Sequence, residues 1–268
     1  MDQAQQSSAN PGWTGPGEPS WRRVLLQRPK RVLTLLLGGQ PRHAWQMTRA
    51  TLADGWHYLG PGGYDAACPC CGWQGAAFLA HAGQTVAYRS ICPSCGSRSR
   101  HRGLVLRMAE LLEGAPTGPM LVFAPEAVLL RQLSVLGRAV ETTDAFSVDV
   151  DHPGEDIQAL GFTDASYAAL MCNHVLEHVA DDEAAMAECA RVLVPGGVAL
   201  FTIPGDYDEQ ATVEFAEPNG NGHHRHYGMD VVGKLERHFR TVEAIELGNA
   251  LPPRHGIAPL DYVFRCVR

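Results

Sequence analysis

The run Tyr167-Ala-Ala-Leu-Met-Cys-Asn-His-Val-Leu-Glu-His-Val179, followed by Arg191-Val-Leu-Val-Pro-Gly-Gly197, decides how this chain is read. A short apolar strand delivers Cys172 and Asn173 to its carboxyl end, the edge at which ligands bind in open α/β sheets. The Pro195-Gly196-Gly197 turn then allows a tight passage into the next strand. Working outward, short apolar strands alternate with amphipathic helices, the texture of a parallel α/β sheet. Strands are predicted at Met120–Ala124, Ala139–Thr143, Tyr167–Cys172, Val198–Ile203, Val242–Leu247 and Tyr262–Val267. Helices are predicted at Glu126–Leu136, Asp182–Val194 and Met229–His238. Residues 108–268 are enough for one doubly wound domain.

Charge divides the chain at about the same place. The formal net charge of −7 argues against a general nucleic-acid binder. It hides a split, however: residues 1–107 hold 12 Lys and Arg against 4 Asp and Glu, while residues 108–268 hold 10 against 25. Two parts with different partners are expected. No run approaches the roughly 18 apolar residues that span a bilayer. The first twenty residues are polar and rich in Pro, Gly and Ser, so no secretory signal and a cytoplasmic location are expected.

The positive half reads as three pieces: a flexible tail (1–20), a basic helical arm (21–63), and a cysteine module with a linking helix (64–107). The arm carries no acid between Glu18 and Asp54, and two short helices are expected in it, broken at Pro29 and stopped by Gly38-Gly39. Its cationic face is either a solvated surface or a contact for an anionic substrate or lipid head groups. Cys68-Pro-Cys-Cys71-Gly and Cys92-Pro-Ser-Cys95-Gly repeat one pattern, C-P-x-C-G. Two such turns supply the four thiolates of a tetrahedral zinc ribbon from Cys68, Cys71, Cys92 and Cys95. A redox dithiol or a pair of disulfides is the competing reading. A four-thiolate site is closed, so a zinc ion there holds structure and does not activate water. Arg98, Arg100 and Arg102 follow directly, either as a clamp for a carboxylate or phosphate or as a solvated face.

The 167–197 motifs, with Asp156-Ile157, resemble the class I S-adenosylmethionine-dependent methyltransferases, in particular the small-molecule branch with N-x-V/L-L-E-H after the fourth strand and R-V-L-x-P-G-G before the fifth. The resemblance implies a doubly wound, seven-stranded Rossmann-like sheet across the C-terminal domain, with the helical arm and zinc ribbon preceding it. It implies that Asp144 bonds the cofactor ribose, that Asp156 accepts from the adenine amino group with Ile157 against the ring, that Asn173 and His174 border the methionine end, and that Leu176, Glu177 and His178 start the cofactor-contacting loop beneath the methyl group. The first loop, Phe123, Ala124, Pro125 and Glu126, holds no glycine where the family has a glycine-rich turn. The chain is similar here to a subgroup with a preceding cysteine knuckle and an R-H-R segment, in which this loop reads A-P-E. A second departure is Ala168, which stands after Tyr167 where an acid is common.

In that subgroup a segment H-x-R-x-Y-G follows the fifth strand, which maps to His223, Arg225, Tyr227 and Gly228. Methyl transfer is an in-line displacement at an activated carbon, so the enzyme needs alignment and, for an O–H or N–H acceptor, a base. His223 is expected as base or acceptor-orienting group, Arg225 as an anion clamp, Tyr227 as a wall or hydrogen-bond partner, and His178 in the loop beneath the methyl group. A metal site of His223, His224 and His226, or a structural lid, are the other readings of the segment. The resemblance implies a transferase using S-adenosyl-L-methionine on a small-molecule, anionic acceptor, O- before N-methylation, in glycan or natural-product biosynthesis, with structural Zn(2+). An RNA methyltransferase whose basic half holds phosphates, and a catalytically inactive binding module, are the alternatives.

Overall fold

A computed structural model describes residues 21–82 and 86–268, and the predicted 1–20 tail lies outside them. The chain forms two compact units, one of residues up to Arg102 with Leu251–Ala258, the other of Gly103–Ala250 with Pro259–Arg268. The division falls a little before the residue 107 read from the charge, and a late segment of the chain belongs to the first unit.

The first unit opens on two helices, α1 (Trp21–Leu37) and α2 (Pro41–Leu59). Pro29 does not break the first of them; it sits on an exposed turn inside α1, which ends instead at Gly38-Gly39 with Gly39 in the left-handed region. Long-range bonds hold the helix through the proline. Neighbouring Arg28 is buried and donates to Asp54 Oδ2 and to the Ala80 carbonyl, each at 2.6 Å. Asp54, the residue that ends the acid-free stretch, also accepts from the Ala80 N–H at 2.9 Å. Short antiparallel pairs follow: β1 (Ala66–Ala67) with β2 (Gln74–Gly75), and β3 (Leu79–Ala82) with β4 (Val86–Ile91). The helix α3 (Ser99–Leu111) starts within the arginine cluster, earlier than the expected Gly103.

The second unit is a seven-stranded sheet. Its strands are β5 (Met120–Phe123), β6 (Val140–Asp144), β7 (His152–Pro153), β8 (Tyr167–Asn173), β9 (Leu193–Thr202), β12 (Thr241–Glu246) and β13 (Tyr262–Val267). The order is β7-β6-β5-β8-β9-β13-β12. Pairing from β7 to β9 is parallel, and β13 alone runs antiparallel to both its neighbours. The helices α4 (Ala127–Val135), α5 (Asp182–Val192) and α6 (Val231–Leu235) connect the strands, and two-residue strands β10 (Val213–Glu214) and β11 (Arg225–His226) pair in the long loop after β9. Every residue of β8 is buried, which is why its sequence shows no polar alternation. From β5 the chain goes first to β6 on one side and later to β8 on the other. The carboxyl ends of β5 and β8 therefore flank a topological switch point, where open α/β sheets bind ligands.

Candidate active site and cysteine centre

Three strand ends meet at the carboxyl edge of the sheet beside the switch point. After β5, Ala124 takes φ +46°, a conformation that glycine adopts freely and alanine at a cost of roughly 1–2 kcal/mol. The missing glycine is thus replaced in shape though not in residue type, with the Ala124 N–H held by the Thr143 carbonyl at 2.9 Å. Phe123 is buried, and Pro125 and Glu126 are half-buried at the start of α4. At the end of β6, Asp144 Oδ1 accepts from the Phe146 and Ser147 N–H groups, both at 2.7 Å, which fixes the carboxylate. Asp156 is exposed and accepts from Gln158, while Ile157 is buried. At the end of β8, Asn173 is buried; its Oδ1 accepts from Thr202 Oγ1 at 2.8 Å and its Nδ2 has no partner. A buried donor left open at the end of β8 and a pinned carboxylate at the end of β6, on either side of β5, fit a polar ligand at this edge.

Next to it stand a one-turn helix, Leu176–His178, and the loop after β9. Glu177 is 1% exposed, yet neither carboxylate oxygen accepts a hydrogen bond. His174, at φ +53°, places Nδ1 3.4 Å from Glu177 Oε1, and His178 Nε2 lies 3.7 Å from the same oxygen. The loop is tied down by the His224 N–H, which donates to the Glu177 carbonyl at 2.7 Å, and by Asn219 Oδ1, which accepts from the His223 N–H at 3.2 Å. That brings the His223 ring edge-on to His178, centroids 4.7 Å apart. Burial pushes the His223 pKa down, with Glu177 opposing and the nearby His178, His174 and His226 adding to the shift. Sequence placed Glu177 only in the loop with Leu176 and His178, inside the N-x-V-L-E-H motif; its burial is what distinguishes it.

Two residues of the H-x-R-x-Y-G segment have a different place from the one expected. Arg225, 4% exposed, donates to the carbonyls of Leu176 (3.1 Å), Val179 (2.7 Å) and Ala180 (2.8 Å) and to Glu214 (2.9 Å). With four of its five N–H groups donating within the protein and 4% exposure, the guanidinium is a strut for the Leu176–His178 turn and not an anion clamp. Tyr227 is fully buried and donates to Asp182 Oδ2 at 2.7 Å, so it is a hydrogen-bond partner inside the core and lines no substrate wall. Leu176 is likewise core, and its contribution to the turn is its carbonyl. His223, His224 and His226 do not converge; His226 is exposed, and the loop offers only His223 to the cluster.

The first unit holds the cysteine centre. Both C-P-x-C-G segments close identical turns, with Gly72 N–H donating to the Cys68 carbonyl and Gly96 N–H to the Cys92 carbonyl, each at 2.9 Å. Gly72 and Gly96 have φ +75° and +69°, the reason a glycine follows each pair. Cys68, Cys71, Cys92 and Cys95 bring their sulfurs within 4.8 Å of one another, with Cys68–Cys95 and Cys71–Cys92 at 3.8 Å. Four sulfurs at about 2.3 Å from one tetrahedral ion stand roughly 3.8 Å apart, so the set fits zinc in size and chemistry. Arg102 next door is fully buried and donates to the carbonyls of Arg89, Ser90, Ser97, His255 and Gly256. It binds the returning Leu251–Ala258 segment to the ribbon and is closed to an outside anion.

Residues 133–201 match the methyltransferase domain family, a stretch running from α4 through β9 that contains Asp144, Asp156 and the Asn173–His178 segment. On that match, this stretch of the C-terminal unit is similar to a methyltransferase domain. A 37.1 kDa uncharacterized protein of a Streptomyces fradiae transposon is 31% identical over 131 residues, 48% of this chain; the chain spans about a third (35%) of that relative's length. Solved structures with a similar arrangement include the 1,6-didemethyltoxoflavin N1-methyltransferase of Burkholderia thailandensis, with bound 1,6-didemethyltoxoflavin and S-adenosylhomocysteine (16% identity, TM-score 0.47, covering 63% of this chain and 77% of that one). An S-adenosylmethionine-dependent methyltransferase of Mesorhizobium loti is similar too (14% identity, TM-score 0.44, 62% and 98% covered). At these values the two likenesses carry no argument about acceptor or mechanism.

Proposed function

We propose that the enzyme methylates an oxygen of a small-molecule acceptor, with a structural zinc ion in the ribbon. The observation that carries the acceptor is Glu177: a buried carboxylate and the imidazole of His178 offer lone pairs and no donor, so the complementary group brings a proton. An O–H or N–H group meets that need; a hydroxyl, a poor nucleophile until its proton is drawn off, makes more use of these proton acceptors than an amine with a free lone pair, so O-methylation is proposed before N-methylation. Bound at the β5/β8 edge, S-adenosyl-L-methionine supplies a methyl carbon on a sulfonium leaving group. Asp144 is assigned to the ribose hydroxyls and Asp156 to the adenine amino group, with Asn173 and His174 toward the methionine end. His178 and His223 hold the acceptor hydroxyl in line, and the cluster draws on its proton as the new C–O bond forms. Arg225 and Tyr227 act through the turn they brace.

The 3.8 Å sulfur spacings support Zn(2+) at Cys68, Cys71, Cys92 and Cys95. A cytoplasmic setting goes with this reading, because clustered cysteines suit metal in a reducing compartment. Among the described residues no helix is long and apolar enough to cross a membrane. An anionic acceptor in glycan or natural-product biosynthesis remains the proposed pathway class. Calorimetry with S-adenosylmethionine tests the cofactor half. Loss of the Asp144 carboxylate in Asp144→Ala removes charged hydrogen bonds of about 1.5–3 kcal/mol, or roughly 10–100-fold in Kd. Transfer of labelled methyl to a panel of hydroxylated and amino acceptors tests the rest. Absence of cofactor binding sinks the proposal, and transfer to amines alone sinks the oxygen assignment.

A further inference from the structure

The lone pairs of the acceptor-side cluster face one another. His178 Nδ1 lies 3.2 Å from the Gly222 carbonyl, which only accepts, so Nδ1 carries the ring proton. In the neutral ring Nε2 then presents its lone pair, and it does so 3.7 Å from Glu177 Oε1, a carboxylate oxygen that has no donor. Fixing one ring nitrogen on a backbone carbonyl while the other faces inward is how metal-ligating histidines are held. His223 completes the set: one ligand atom each from Glu177, His178 and His223 lies within 4.8 Å of the others. Two imidazoles and a carboxylate around one tetrahedral ion have ligand atoms roughly 3.3 Å apart, within reach of a small rotation of the His223 ring. The carboxylate is 1% exposed; His174 Nδ1 at 3.4 Å and His178 Nε2 at 3.7 Å are its nearest cationic candidates, and neither hydrogen-bonds to it, whereas a buried charge is ordinarily both paired and hydrogen-bonded.

We infer that Glu177, His178 and His223 bind a divalent transition-metal ion, a second metal centre separate from the four cysteines. Two histidines and one glutamate leave a coordination position open, unlike the closed four-sulfur set. The donors are borderline nitrogen with one oxygen, which selects zinc, cobalt, iron or manganese over magnesium or calcium. The site stands on its own geometry; its consequence rests on the methyl-transfer reading. In that reading the acceptor hydroxyl binds at the open position, is made more acidic by the ion, and releases its proton to water instead of to a bare imidazole. The oxygen then forms the C–O bond while the S–C bond breaks and sulfur keeps the electron pair.

Full-length protein reconstituted with zinc and freed of excess is analysed for metal per chain. Two equivalents are expected in the wild type, one in the near-isosteric Glu177→Gln, and one in Cys71→Ser. Protein with zinc already in the cysteine centre is then titrated with cobalt, and visible d–d absorption that disappears in Glu177→Gln and His223→Ala is expected. His223→Ala serves as the second probe because its ring lies on the loop, half-buried, and its removal spares the sheet. Equal zinc content in wild type and Glu177→Gln, with no cobalt band, overturns the site. Methyl transfer is read separately: a second metal without transfer to any hydroxyl leaves the site standing and removes the acceptor reading. Hydroxyl transfer unaffected by chelation and by Glu177→Gln does the reverse.

Discussion

Replacing Arg225 by methionine separates the two roles that its position in the H-x-R-x-Y-G segment allows. Its fork donates to three backbone carbonyls, of Leu176, Val179 and Ala180, and to Glu214. Hydrogen bonds from a charged donor contribute about 1.5–3 kcal/mol each, and carbonyls left buried without a partner cost about 1–3 kcal/mol. The Glu214 pair adds little, since that side chain is 54% exposed. Val179 and Ala180 lie near enough to the surface for water to replace part of the loss, and Leu176 keeps a long bond from Tyr227 at 3.4 Å. The expected loss is then about 3–4 kcal/mol, close to that for breaking a buried ion pair, or a fall in Tm of roughly 10 °C. Arg225→Lys should lose most of the same stability, because an ammonium cannot reproduce the fork. Thermal and urea unfolding, followed by a probe in the C-terminal unit, measure it. A variant within about 1 kcal/mol of wild type whose acceptor KM rises would refute the strut and restore the anion clamp.

Arg102→Met should cost the first unit about 3–5 kcal/mol, since five carbonyls lose their donor, and limited proteolysis should then cut near Leu251–Ala258; resistance equal to wild type would contradict it. Cys70→Ser should keep the zinc of the ribbon while Cys71→Ser loses one equivalent, measured by metal analysis; loss in both would mean that the third thiol of the first knuckle is a ligand. Ala124→Gly relieves about 1–2 kcal/mol of left-handed strain against about 0.4–1 kcal/mol of added unfolded-chain entropy. A net gain of about 0–1.6 kcal/mol in urea unfolding is expected, and a clear loss would count against the strain. For Asp182, burial raises the pKa, but the hydrogen bonds from Lys234 and Tyr227 and the charges of Lys234 and Arg225 outweigh it and hold the carboxyl below its ordinary 3.8. Its stabilisation is therefore present above about pH 4 and is lost as the pH falls through the depressed value. Acid unfolding of Asp182→Asn should lack that step, and superimposable wild-type and variant curves would rule it out.

The sheet was legible because its strands are apolar and punctuated by polar strand ends, so the predicted and observed spans agree within a few residues, with Tyr262–Val267 the same in both. The one strand not read, His152–Pro153, has two residues and is held by its partner Asp144, which no local pattern announces. Pro29 misled for a related reason: the helix continues through it on the strength of Arg28 reaching Asp54 and Ala80, residues far along the chain. Sequence by itself picked out the four cysteines that the fold brings together, since the two C-P-x-C-G turns are local, and it pointed to Asp144 and the Asn173–His178 segment through the resemblance. Only the tertiary structure decided which polar residues are open to chemistry. Arg102, Arg225 and Tyr227 look available in sequence and are spent on buried carbonyls or on Asp182, whereas Glu177 looks ordinary and is buried beside His178 and His223 with its oxygens unmatched. The physical reason is that a polar side chain's role depends on whether its hydrogen bonds are already satisfied, and those partners lie up to 154 residues away along the chain.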